Sequence, residues 1–100
     1  MLRTLLIDDI RNFNVDRVCR TYEDGINALK SEKWDILYLD HDLGDSYEDS
    51  EGVHRELTGY SIMCWLEEHP EHLPGEIEFV TANPVGRDKM MAVRRKLYEE

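Results

Sequence analysis

Two short apolar runs, each cut off at once by acids, narrow the fold more than any other feature of this chain. Thr4-Leu5-Leu6-Ile7 runs directly into Asp8-Asp9, and Asp35-Ile36-Leu37-Tyr38-Leu39 runs into Asp40-His41-Asp42. A segment that is apolar at successive rather than alternate positions suits a strand buried on both faces, the habit of parallel sheets. Further strands are predicted over Glu76 to Thr81 and, more weakly, over Arg17 to Thr21. Helical signals fill the gaps. Thr21 reads as an N-cap with Asp24 three residues on, and Tyr22, Ile26 and Leu29 recur at helical spacing up to about Lys33. Tyr60, Ile62, Met63, Trp65 and Leu66 give a second apolar face, beginning near Gly59 and stopping before Pro70. Asn83-Pro84 supplies N-cap and N1 for a last helix predicted to turn Val85, Met90, Val93 and Leu97 inward.

That order predicts an α/β fold of about four mostly parallel strands with helices on both faces, in three layers. One link fits poorly, because Ile10 to Asp16 is shorter than a helical crossover needs; an extended or irregular connection is expected there. The segment from Gly44 to Leu57 holds Asp45, Glu48, Asp49 and Glu51 and shows no apolar period, so it reads as an exposed loop, either lid or mobile segment. At 100 residues the chain is expected to be one domain, residues 1–100, with a core that needs no disulfide or zinc staples.

Charge excludes some partners. With 22 acids against 12 basic residues the formal charge is −10, which disfavours binding to duplex nucleic acid, a process driven by clustered Lys and Arg. A small phosphorylated ligand or cyclic nucleotide stays open, because a metal ion reverses the local sign. No apolar run approaches the roughly 18 residues of a membrane span, and no signal-peptide core follows Met1. A cytoplasmic protein without membrane partners is expected, with Cys19 and Cys64 as buried free thiols. Oligomeric state leaves no signature.

Open parallel sheets bind ligands at the carboxyl ends of their strands. That rule gathers Asp8, Asp9, Asp40, His41, Asp42, Thr81 and Asn83 on one edge. Four carboxylates there repel unless a cation sits among them, and Mg²⁺ or Mn²⁺ is the simple answer. A single Asp after a strand is ordinary turn chemistry; two clusters after two buried strands favour a metal or catalytic site. Whether Asp40 or Asp42 joins Asp8 and Asp9 as metal ligand stays open. Ala82-Asn83-Pro84-Val85-Gly86-Arg87 offers a helix start, an open Gly86 and the Arg87 guanidinium, an anion site or simply a cap. Arg11 is a second phosphate donor or a solvated arginine. His41, between two acids, is either a protonated general acid or a structural histidine. His69 and His72 flank a proline, which fits structure better than metal binding, and neither cysteine has a visible base partner.

Asp8-Asp9 after one strand, an acid after the third and Thr81 after the last resemble the phosphoacceptor receiver domains of response regulators. By that likeness Asp8 and Asp9 would bind metal, Asp40 would be the phosphorylated aspartate and Thr81 would contact the phosphoryl group; the receiver's fifth strand and lysine have no counterpart. Leu6-Ile7-Asp8-Asp9-Ile10-Arg11, Leu39-Asp40-His41-Asp42-Leu43-Gly44, Thr58-Gly59-Tyr60 and Ala82-Asn83-Pro84-Val85-Gly86-Arg87 resemble more closely the cyclic-phosphate-processing receiver-like family. Asn12 stands where that family usually has proline, Val80 where a histidine is common, and the 44–57 segment is long. The resemblance implies a shortened receiver-like, flavodoxin-like fold and metal-dependent hydrolysis of a cyclic phosphate. Asp8, Asp9 and Asp40 would hold Mg²⁺ or Mn²⁺, Asp42 would orient water and His41 would protonate the leaving oxygen. Arg11, Thr81, Asn83, Gly86 and Arg87 would grip the phosphate. A phosphoacceptor signalling module and a non-catalytic binder of a phosphorylated ligand are the alternatives.

Overall fold

A computed structural model describes residues 2–43 and 45–99; Met1, Gly44 (the last residue of the Asp-His-Asp-Leu-Gly block) and Glu100 lie outside it. The elements run β1 (Thr4–Ile7), β2 (Arg17–Cys19), α1 (Tyr22–Ser31), β3 (Ile36–Leu39), β4 (Asp45–Glu48), β5 (His54–Leu57), α2 (Gly59–Glu68), a 3₁₀ turn (Pro70–His72), β6 (Glu76–Phe79) and α3 (Pro84–Glu99). Four strands form one all-parallel sheet in the order β2-β1-β3-β6. This is the parallel α/β sheet that the two apolar runs implied. The runs themselves are the two inner strands, and Leu5, Leu6 and Ile7 are wholly removed from solvent.

The three helices share one face. Leu5, Ile7, Leu37, Leu39, Ile77 and Phe79 join a single core with Ile26 and Leu29 of α1, Ile62, Met63 and Leu66 of α2, and Met90 and Val93 of α3. Handedness explains the departure from helices on both faces. From β2 across to β6 the chain advances in one direction, so its right-handed crossovers all lie on one side. Only the β1 to β2 link runs the other way, and it is too short to hold a helix. It crosses the opposite face as an irregular strap, setting Phe13 edge-on to Tyr38 at 5.6 Å on the face that buries Leu6. The strap ends where Asp16 clasps the start of β1, its Oδ2 accepting from the Thr4 amide at 2.8 Å and the Thr4 hydroxyl at 3.1 Å.

The 45–57 segment is not a loop. It folds into an antiparallel hairpin, with Ser46 opposite Glu56 and Tyr47 opposite Arg55. With neither face in the core, no apolar alternation marks it. The turn sets the register instead: Asp49 Oδ1 accepts from the amides of Glu51 (2.9 Å) and Val53 (3.0 Å), and Gly52 takes φ of 80°, which favours glycine. Val85, expected inward, is 65% exposed. The buried stripe of α3 is Gly86, Met90 and Val93, a four-then-three spacing that puts Val85 off the stripe. The other caps form as expected, with the Asp24 amide donating to Thr21 Oγ1 at 3.1 Å. Among the described residues no helix is long and apolar enough to cross a membrane.

Candidate metal and phosphate site

Strand pairing builds the site. Ile7 is in register with Leu39 and Leu39 with Phe79, so the chain leaves three adjacent strands at the same level. The ladder runs one residue further, with the Asp40 amide donating to Ile7 O and the Val80 amide to Leu39 O, both at 3.0 Å. Asp8 and Asp40 therefore emerge side by side. Asp8, Asp9 and Asp40 each present a carboxylate oxygen, all within 4.8 Å of one another. Asp40, not Asp42, joins the pair after β1. Thr81 donates a hydrogen bond to the Asp40 carboxylate, and its Oγ1 accepts from the Asn83 amide at 3.0 Å.

The cup holds a cation of the protein's own. Arg11 Nη1 lies 3.1 Å from Asp8 Oδ2 and 3.4 Å from Asp40 Oδ2, so Arg11, though partly exposed, is engaged by the carboxylates rather than free for a phosphate. Burial pushes the Asp8 carboxyl upward, but hydrogen bonds from the Arg11 and Ile10 amides and from the Arg11 guanidinium outweigh it and hold Asp8 below the usual range. Asp40 goes the other way, raised by burial first and by the neighbouring Asp8 charge second. A second arginine, not picked out by the sequence reading, frames the cup. Arg20 Nη1 donates to the carbonyls of Asp8 (3.2 Å) and Arg11 (2.5 Å), and its Nη2 to Asn12 Oδ1. The signal was positional: Arg20 follows β2 directly, on the edge that Asp8 leaves.

His41 stands beside the cup rather than in it. Its amide donates to Asp40 Oδ1 at 2.9 Å, and its Nδ1 meets Asp42 Oδ1 at 3.0 Å. The ring lies against the start of α3, where a Cβ on Gly86 would fall 2.4 Å from it. Gly86 thus makes room for His41. Its amide is also taken, donating to Asn83 Oδ1 at 3.0 Å, and the Arg87 amide donates to Asn83 O at 2.9 Å. Asn83 acts as a cap, and the helix start offers an anion the Arg87 guanidinium and the Val85 amide rather than a ring of free donors.

The sequence model of one family, the cyclic-phosphate processing receiver domain, matches residues 3–96. The chain belongs to that family. No curated protein and no solved structure matches it. In this cyclic-phosphate processing receiver domain, the donors at the cup are three carboxylates and no sulfur or imidazole, the set that suits a hard divalent cation. Beside the cup opens a cavity of about 370 Å³, bounded by Asp9, Asp42, Ser46, Glu56, Leu57 and Thr58. Away from the site, His69 and His72 both stack on Trp65, with ring centroids at 4.2 and 5.6 Å, as befits structural residues. Cys19 and Cys64 are free thiols, the first buried and the second half-buried.

Proposed function

We propose that this receiver domain hydrolyses a cyclic phosphodiester with the help of Mg²⁺ or Mn²⁺ held by Asp8, Asp9 and Asp40. The observation that carries the reading is the convergence of those carboxylates within 4.8 Å, on a family already tied to cyclic-phosphate processing. A divalent ion bound there would polarise the phosphoryl oxygens and lower the pKa of an attacking water. Asp40 is pre-oriented for such a ligand by the His41 amide and the Thr81 hydroxyl. Arg11 and Arg87 supply positive charge to the non-bridging oxygens. Asp42 engages His41 Nδ1, which leaves Nε2 to pass a proton to the ester oxygen as its bond to phosphorus breaks. Water oxygen adds to phosphorus, one ester oxygen leaves protonated, and the product is a phosphomonoester.

The test is turnover of nucleoside 2′,3′-cyclic phosphates in Mn²⁺ by the full chain and by Asp40→Ala, with product separated by chromatography. The wild type is expected to open the ring and the variant not to; equal rates would remove the mechanism. The Thr81 contact with Asp40 supports a second reading, transfer of a phosphoryl group to Asp40. Incubation with a small phosphodonor and Mg²⁺, read by intact mass, would then add one phosphoryl group.

A further inference from the structure

We infer that the site, on the reading just given, selects a nucleoside cyclic monophosphate and rejects ligands carrying a second phosphate, and that Glu56 on the hairpin enforces the choice. The cavity beside the cup, about 370 Å³, lies in the range that holds one nucleoside-sized ligand. Its polar lining residues are Asp9, Asp42, Glu56, Ser46 and Thr58. Among the described residues, no Lys, Arg or His lines it. Such a wall accepts hydrogen bonds from ribose hydroxyls and base amines, with Leu57 as apolar contact, and repels any further anion.

Hairpin register turns Arg55 away from this wall. Ser46 and Glu56 are directly opposed, so they share the hairpin face toward the cup, while Tyr47 and Arg55 occupy the other face. Those two border a second groove with Tyr22, Tyr60 and Trp65, whose rim Glu56 shares, and Arg55 is tied to Asp49 at 3.0 Å. Of the three carboxylates, Asp9 belongs to the cup and Asp42 is paired with His41. Glu56 has no cationic partner among the described residues, so its charge faces an incoming ligand uncompensated. It is exposed on a hairpin outside the core, so the fold is expected to tolerate its substitution.

The experiment compares a nucleoside 2′,3′-cyclic phosphate with the same compound bearing a 5′-phosphate, in Mn²⁺. Affinity is read by calorimetry, or kcat/KM where the ligand is turned over. Wild type is expected to favour the singly phosphorylated ligand by about ten-fold or more, the scale of one unfavourable charge contact at partly exposed range. Glu56→Lys should erase or reverse that preference, and Glu56→Gln should narrow it. Glu51→Lys, an equal charge change at the hairpin tip, should leave it in place. Equal preference in wild type, or an equal effect of Glu51→Lys, overturns the assignment of Glu56 while leaving hydrolysis standing. Failure of both ligands to bind or react removes the underlying reading and this inference with it.

Discussion

The guanidinium of Arg11 lies 3.1 Å from the fully buried carboxylate of Asp8, so one of the cup's three negative charges is already offset from within. A divalent ion entering there must compete with, or displace, a tethered cation. Replacing Arg11 by Met is expected to tighten Mn²⁺ binding about ten-fold, the order of one removed charge at this distance. The same change should lower stability without metal by about 1 to 3 kcal/mol, because a buried carboxylate loses its charged donor. Titration by electron paramagnetic resonance and thermal melts with chelator read the two effects, and weaker Mn²⁺ binding in the variant would contradict the competition.

Asp8 and Asp40 predict opposite pH behaviour. The Asp8 pKa is lowered, so its contribution is fully present above the ordinary value of 3.8 and is lost as pH falls through its folded value. The Asp40 pKa is raised by burial and by Asp8, so its carboxylate burdens the fold at neutral pH and is relieved on protonation. Melting temperature without metal should therefore hold or rise as pH drops from 7 toward the Asp40 value, then fall below about 3.8. Asp40→Asn should be more stable than wild type at pH 7 by about 1 kcal/mol, the scale of a typical stabilising substitution, while losing Mn²⁺ binding. Mn²⁺ affinity of wild type should weaken as pH drops, since a proton competes at Asp40.

Two glycines hold the site close to the helices. Gly86→Ala would drive a methyl group to 2.4 Å from the His41 ring, and the ring must move; a loss of about 1 to 3 kcal/mol is expected, with shifted His41 resonances by NMR. Gly59→Ala should be worse. Its Cβ would meet the Asp40 carbonyl oxygen at 2.1 Å, backbone that no rotamer change can clear. A Gly59→Ala variant melting like wild type would contradict this packing.

Arg20 is a positioning residue. It grips two carbonyls and a side chain of the strap and touches none of the three carboxylate oxygens. Arg20→Ala is expected to weaken Mn²⁺ binding several-fold without altering its pH dependence, whereas loss of a direct ligand abolishes binding. Parallel titrations at two pH values distinguish the two cases.

The inner strands and their terminal acids were legible because burial on two faces leaves an unbroken apolar run. Register then brings Asp8 beside Asp40 with no further information needed. What the sequence hid follows from forces that leave no hydropathy pattern. The hairpin is held by its turn at Asp49 and Gly52 and by strand pairing, none of which requires apolar side chains. The side of the sheet taken by the helices follows from crossover handedness and link length together. Arg11 read as a phosphate donor or a solvated arginine, and Arg20 carried no signal beyond its place after β2, because their partners come together only when the strap folds.

No described residue from Ser46 to Leu57 is fully buried. On the proposed reading, recognition of the ligand's far end is written on a segment that folding barely constrains, while the chemistry rests on strands that tolerate little change. A different hairpin could be grafted onto the same acid-bearing scaffold to give it a new clientele, with scarcely any penalty to thermal endurance.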